Sequence, residues 1–152
     1  MCEAVVMRVA VADIEASPDL PVLLAEYAAE SANDEIGPAT PQIETYRAME
    51  AAGVMQALAA VVDGQLAGFL FLLTPILPHF GQKVGVTESY FVSAAHRSTG
   101  AGLKLLAAAE AAAKDAGAAG ILVSAPSGGR LERVMPGIGY RETNRVFFKG
   151  LK

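Results

Sequence analysis

The sequence predicts an α/β fold, a mixed central sheet with helices on both faces, its elements running β-α-α-β-β-β-α-β-α-β. Three observations carry this. Asp63-Gly64 separates two apolar, strand-like runs, Met55–Val62 and Gln65–Leu73, and a two-residue Asp-Gly connection is the signature of a type I′ hairpin. Both runs are nearly continuous in apolar residues, as expected of strands covered on both faces. The strand Lys83–Val92, the Ala-rich helix after it and the short run Ile121–Ser124 make a β-α-β crossover, whose strands should be parallel and whose connection should be right-handed.

In chain order, Val5 to Val11 is short and β-branched and reads as a first strand. Ser17-Pro18-Asp19 opens a helix capped by Ser17 or Asp19, with Leu20, Leu23, Leu24 and Tyr27 as its apolar stripe and an end near Ser31-Ala32-Asn33. Asn33 to Thr40 is a loop punctuated by Gly37-Pro38, and Pro41 starts a second helix that runs to about Ala52 and stops at Gly53. Beyond the hairpin, Pro75, Pro78 and Gly81 make Thr74–Gln82 a loop. Strand alternation through Lys83–Val92 puts Val84, Val86, Glu88, Tyr90 and Val92 on one face. In the following helix Gly102, Leu105, Leu106, Ala109, Ala113 and Ala116 share a stripe, Glu110 and Lys114 form an i,i+4 pair, and Gly117 is the stop. Ser127 to Pro136 reads as a short fourth helix and Arg141 to Lys149 as the last strand.

A length of 152 residues is expected to form one domain, 1–152, large enough to bury a core without staples. The longest apolar stretch, Leu66 to Leu73, is far below the ~20 residues of a membrane helix. No basic-then-apolar leader is visible, and the single Cys2 has no internal disulfide partner, so the expectation is a cytoplasmic protein without membrane partners. Residues 1–80 hold 2 basic and 11 acidic side chains and residues 81–152 hold 10 and 5, giving −9 and +5. A basic half suits an anionic ligand and an acidic half a cationic one, although segregated surface charge accounts for the same pattern. No basic run with interleaved aromatics indicates nucleic acid. His79 and His96 with one Cys cannot assemble a zinc site, so no metal is expected. Neither a Gly-x-Ser-x-Gly elbow nor a P-loop is present, and Gly100-Ala101-Gly102 lacks the third glycine of a dinucleotide fingerprint.

The loop Arg97-Ser98-Thr99-Gly100-Ala101-Gly102 stands directly before the central helix. A helix start presents unpaired N–H groups and partial positive charge, and glycines there let a phosphate approach the main chain. Arg97 adds a fixed cation suited to a pyrophosphate. Glu88, between Val86 and Tyr90 on an apolar face, is expected to be desolvated, its pKa raised toward the range of a general base; a structurally paired glutamate is the competing reading. His79, in a Pro-bounded loop, is a candidate acceptor contact, and Asp34, Glu35 and Glu44 lie near the loop between the first two helices.

From about Gln56 to the C-terminus the sequence resembles the GCN5-related N-acetyltransferases (GNAT): the run Arg97 to Gly102 is similar to that family's acyl-CoA pyrophosphate loop, it follows the strand Glu88-Ser89-Tyr90-Phe91-Val92, and Gly139-Tyr140 stands where the family often carries Gly-Phe. The resemblance implies the acetyltransferase fold and transfer of an acetyl group from acetyl-CoA to a primary amine, small-molecule or peptide. It implies Glu88 as base, the loop Arg97, Ser98, Thr99, Gly100, Ala101 and Gly102 as pyrophosphate cradle, and the main chain of Phe91 and Val92 as partner of the pantetheine arm. Where the family usually has a tyrosine acid and an asparagine, this chain has Met135 and Gly128. Tyr90 or water is then the candidate acid, Tyr140 reads as core, and a non-catalytic CoA-binding module is the alternative. With one clear strand after Tyr140, an open sheet edge favours a homodimer.

Overall fold

The computed structural model describes residues 2–152. Its strands are β1 (Val5–Val9), β2 (Met55–Val62), β3 (Gln65–Leu73), β4 (Ile76–Leu77), β5 (Gln82–Lys83), β6 (Gly85–Val92) and β7 (Ile121–Leu122). Five of them form one sheet in the order β1-β2-β3-β6-β7. Its first three pairings are antiparallel, and β6 runs parallel to β7. The helices are α1 (Val11–Glu15), α2 (Leu20–Ser31), α3 (Ile43–Ala51), α4 (Ala101–Asp115) and α5 (Arg130–Val134), with 3-10 turns at Ala94–Thr99 and Met135–Ile138.

The apolar runs that predicted a doubly covered sheet divide their side chains between two cores. On one face Leu58, Ala60, Leu70, Leu72 and Val92 pack against Ala101, Leu105, Ala109 and Ala113 of α4. On the other, Ala57, Ala59, Phe69, Phe71 and Phe91 pack against Val11 and Ile14 of α1, Leu20 and Leu23 of α2, and Tyr46 of α3. The buried stripe of α4 runs as expected through Leu105, Leu106, Ala109 and Ala113 and differs only at its ends, where Ala101 is fully buried and Gly102 and Ala116 are half-buried. The Asp63-Gly64 turn has positive φ at both residues, 51° and 76°, as a type I′ turn requires.

Several elements differ from expectation. The first strand ends at Val9, and the chain turns directly into α1, where the Ala10 N–H donates to the Asp13 carboxylate at 3.0 Å. Within the expected loop Thr74–Gln82, β4 and β5 pair as a small separate hairpin. The expected last strand Arg141–Lys149 is not formed: Val146 and Phe147 are each 89% exposed. The physical reason is that β7 is only two residues long and offers almost no ladder for a further strand. Among the described residues no helix is long and apolar enough to cross a membrane.

The feature that positions the site is a bulge in β6. Phe71 of β3 pairs with Ser89, but the next residue, Leu72, pairs with Thr87. Glu88 is the extra residue. A bulge breaks the two-residue alternation of a strand. Tyr90 and Val92 therefore lie on the α4 face, while Ser89 and Phe91 lie on the face covered by α2 and α3.

Candidate active site

Glu88 stands on the α2–α3 side of the sheet, in an open cleft of about 340 Å³ that it lines with Tyr27, Thr40, Gln42, Thr45 and Tyr46 among others. The expected apolar burial is absent, since Glu88 is exposed and its neighbours in the cleft include hydroxyl and amide groups. Ser89, buried directly behind it, donates to Glu88 Oε2 at 2.7 Å. The hydroxyls of Tyr27 and Tyr46 lie 3.2 and 3.1 Å from Ser89 Oγ. A serine has one proton and two lone pairs. With that proton committed to Glu88, both tyrosines must be the donors. Burial, reinforced by the nearby Glu88 charge, pushes the Tyr46 phenol up to about 12, against the lowering effect of its bond to Ser89. It therefore keeps its proton at neutral pH.

Tyr27, Tyr46 and Ser89 were not recognisable as site residues in the sequence. Tyr27 reads as part of a helical stripe. The one available signal is the polar run Thr87-Glu88-Ser89 in an otherwise apolar strand, a place where a bulge is accommodated.

Tyr90, expected beside Glu88, is on the opposite face, and its hydroxyl donates to the carbonyl of Gly102. Burial pushes this phenol up to about 12 as well. The structure does not bring Glu88 and Tyr90 together. His79 is exposed and, like Asp34, Glu35 and Glu44, does not line the cleft; His96 is half-buried. Tyr140 is half-buried and donates to Glu110 Oε1 at 2.7 Å; burial first, and then this bond to the carboxylate, raises its pKa strongly.

The loop before α4 is more ordered than a cradle made wholly of open amides. Arg97, Ser98 and Thr99 belong to the 3-10 turn, whose i→i+3 pattern spends amides on the turn itself. Thr99 Oγ1 accepts from the Ala101 N–H at 3.3 Å. Gly100 then adopts φ 80° at the N-cap of α4, and the N–H groups of Gly102 and Leu103 begin the helix without an intrahelical acceptor. Arg97 does not face this opening. Its guanidinium pairs with Glu30, its Nε donates to the Val92 carbonyl at 3.0 Å, and it lies 5.6 Å from the centre of the Phe91 ring. The reason is α2, which brings Glu30 to Arg97 and Glu26 to the Ala94 N–H at 2.7 Å.

Between the cleft and this loop the sheet opens. The parallel pairing of β6 with β7 is confined to Gly85↔Ile121 and Val86↔Leu122. From Thr87 onward the β7-facing edge of β6 is unpaired, while its other edge remains bonded to β3 up to Val92↔Gly68. The Ser93 N–H donates to the Ala67 carbonyl at 2.9 Å, so Phe91, opposite Phe69, turns its main-chain groups to β3; those of Tyr90 and Val92 stand at the open edge, where the Val92 carbonyl is occupied by Arg97. The site combines an oriented carboxylate, an extended unpaired backbone and a helix N-terminus. Such a set can deprotonate an amine, pair with an extended amide-bearing chain and hold an anion. No group of three or more His, Cys, Asp or Glu suited to a metal occurs among the described residues.

The model of the acetyltransferase (GNAT) family matches residues 22–128. Among solved structures, the chain is similar to a ribosomal-protein-alanine N-acetyltransferase from Brucella melitensis biovar Abortus 2308, with 20% identity, 96% of each chain covered and a TM-score of 0.69. An aminoglycoside acetyltransferase from an uncultured soil metagenomic sample aligns at 17% identity over 98% of this chain and 97% of that one, with a TM-score of 0.73. Glucosamine-6-phosphate N-acetyltransferase from Arabidopsis thaliana aligns at 11% identity over 98% and 99%, with a TM-score of 0.72. At these identities the likeness is one of fold. No curated protein sequence gives a match.

Proposed function

The chain belongs to the acetyltransferase (GNAT) family, and on that premise we propose that it is a single-domain, cytoplasmic enzyme that transfers the acetyl group of acetyl-CoA to a primary amine. The observation that supports this most is the placement of Glu88 at the β6 bulge, exposed to a cleft and next to the opening between β6 and β7. Names borne by two structural neighbours, acting on a ribosomal-protein alanine and on aminoglycosides, agree with an amine acceptor.

Acetyl-CoA supplies the activated acetyl thioester. The open amides of Gly102 and Leu103 at the start of α4 hold its pyrophosphate, and the unpaired edge of β6 from Tyr90 to Val92 aligns the pantetheine arm. Glu88, which faces the cleft, takes the proton of the attacking amine on Oε1 while Ser89 holds Oε2. With Tyr90 committed to Gly102 and Met135 in the place of an acid, solvent protonates the departing thiolate. A thiol with a pKa near 8.5 leaves without a strong acid.

Thermal unfolding with acetyl-CoA tests the binding step. At one hundred times the dissociation constant the ligand adds about 2.7 kcal/mol of stability. CoA release across ethanolamine, glucosamine, lysine and an alanine-initiated peptide tests the transfer. No shift in Tm and no CoA release would refute the reading; binding without release would leave a CoA-binding module.

A further inference from the structure

We propose that Ser89, clamped by Tyr27 and Tyr46, is a positioning residue that fixes which oxygen of Glu88 faces the acceptor. This deepens the assignment of Glu88 as base and rests on it. The hydrogen-bond inventory makes the chain of donors directional. Glu88 as a carboxylate only accepts, so the single Ser89 proton goes to Oε2, at 2.7 Å. Both remaining lone pairs of Ser89 then take the tyrosine protons, at 3.2 and 3.1 Å.

The members come from three elements: Tyr27 from α2, Tyr46 from α3, and Ser89 with Glu88 from the β6 bulge. Ser89 is 3% and Tyr46 7% exposed, so this anchor is sheltered from water while the carboxylate it holds is not. Without the bulge, Glu88 and Ser89 would point to opposite faces and no such bond could form. The consequence is a carboxylate that cannot rotate freely in its open cleft: Oε2 is spoken for, and Oε1 is presented to an incoming amine. A geometry held by a buried partner is what a general base requires, since proton transfer depends on reach before it depends on basicity.

A merely structural role for Ser89 makes a different prediction, and a double-mutant cycle separates the two. With acetyl-CoA and whichever of ethanolamine, glucosamine, lysine or the alanine-initiated peptide is turned over, Ser89→Ala is expected to lower kcat about 10- to 100-fold, the range of one charge-assisted hydrogen bond. The dissociation constant for acetyl-CoA should not change. Ser89→Thr, which keeps the hydroxyl, should recover most of the rate. In a Glu88→Gln background, Ser89→Ala should cause no further loss, because its effect passes through the carboxylate. An equal loss in both backgrounds, or an unchanged kcat in Ser89→Ala when Glu88→Gln is impaired, overturns the proposal. If Ser89→Ala does not fold, the pair Tyr27→Phe and Tyr46→Phe takes its place, with loss expected only when Glu88 is present. Full activity of Glu88→Gln, or no turnover of any amine, overturns the base assignment itself.

Discussion

Gly102→Ala should move stability and acetyl-CoA binding in opposite directions. A Cβ built on Gly102 lies 3.4 Å from the Tyr90 hydroxyl oxygen and 3.9 Å from Val92 Cγ2, ordinary contact distances that require no backbone shift. The residue is already helical, in the first turn of α4. Alanine there restricts the unfolded chain and favours the helix by about 0.5–1 kcal/mol, which for a protein of this size raises Tm by roughly 1–4 °C. In the proposed pyrophosphate site the same methyl group adds bulk beside the N–H groups of Gly102 and Leu103. Loss of one charge-assisted hydrogen bond, about 1.5–3 kcal/mol, corresponds to roughly 10- to 150-fold weaker binding. Gly102→Glu adds a carboxylate at the same point and should abolish binding while the fold is retained, because a negative charge is favourable at a helix start. Scanning calorimetry reads the first effect and isothermal titration with acetyl-CoA the second. Undiminished affinity in both variants would place the pyrophosphate elsewhere and refute the reasoning.

Three further outcomes follow from other contacts in the structure. A Cβ on Gly68 would lie 2.6 Å from the Phe91 carbonyl oxygen and 3.1 Å from the Val92 Cα, both backbone atoms in the middle of the sheet; Gly68→Ala should therefore cost about 1–3 kcal/mol by chemical denaturation, as overpacking does. Tyr46 and Tyr90 are held up to about 12 by burial, above the ordinary value near 10. Groups whose folded pKa is raised contribute stability that is complete below pH 10 and lost as pH rises toward 12, so urea midpoints should fall across that window and fall less in Tyr90→Phe. Glu30→Gln releases Arg97 from an ion pair in which Glu30 is 44% exposed; stability should change by less than about 1 kcal/mol, and acetyl-CoA affinity should rise up to about fivefold by titration as the guanidinium becomes available to the phosphates.

The helix α4, the Asp63-Gly64 hairpin and the crossover to Ile121 were legible because each is fixed by local chemistry: a 3.6-residue stripe, a turn that needs two positive φ values, and a run of apolar residues between them. Glu88 was legible as a residue but not as a geometry. Alternation through Lys83–Val92 joins it to Tyr90, and a single extra residue opposite Phe71 and Leu72 sends Tyr90 and Val92 to the other face. Nothing local in the strand dictates that register. It follows from pairing with β3, about 17 residues earlier in the chain. The partners of Arg97 and Ser89 were hidden for the same reason: Glu30, Tyr27 and Tyr46 reach them across more than forty positions of sequence. The helix α1 was missed because five residues are too few to show a period. The last strand was expected from the alternation of Val146 and Phe148 with Arg145 and Phe147, and that local pattern does not report that β7 is too short to pair with it.

The most direct test of the account is the pH dependence of CoA release with the accepted amine in wild type and Glu88→Gln. Acetylated amine and free CoA should appear in equal amounts, and the variant should be slower by about 10²–10⁴ at neutral pH with acetyl-CoA affinity unchanged. The gap should narrow as pH rises, because more of the amine then arrives already deprotonated. Equal rates at every pH would contradict Glu88 as the base.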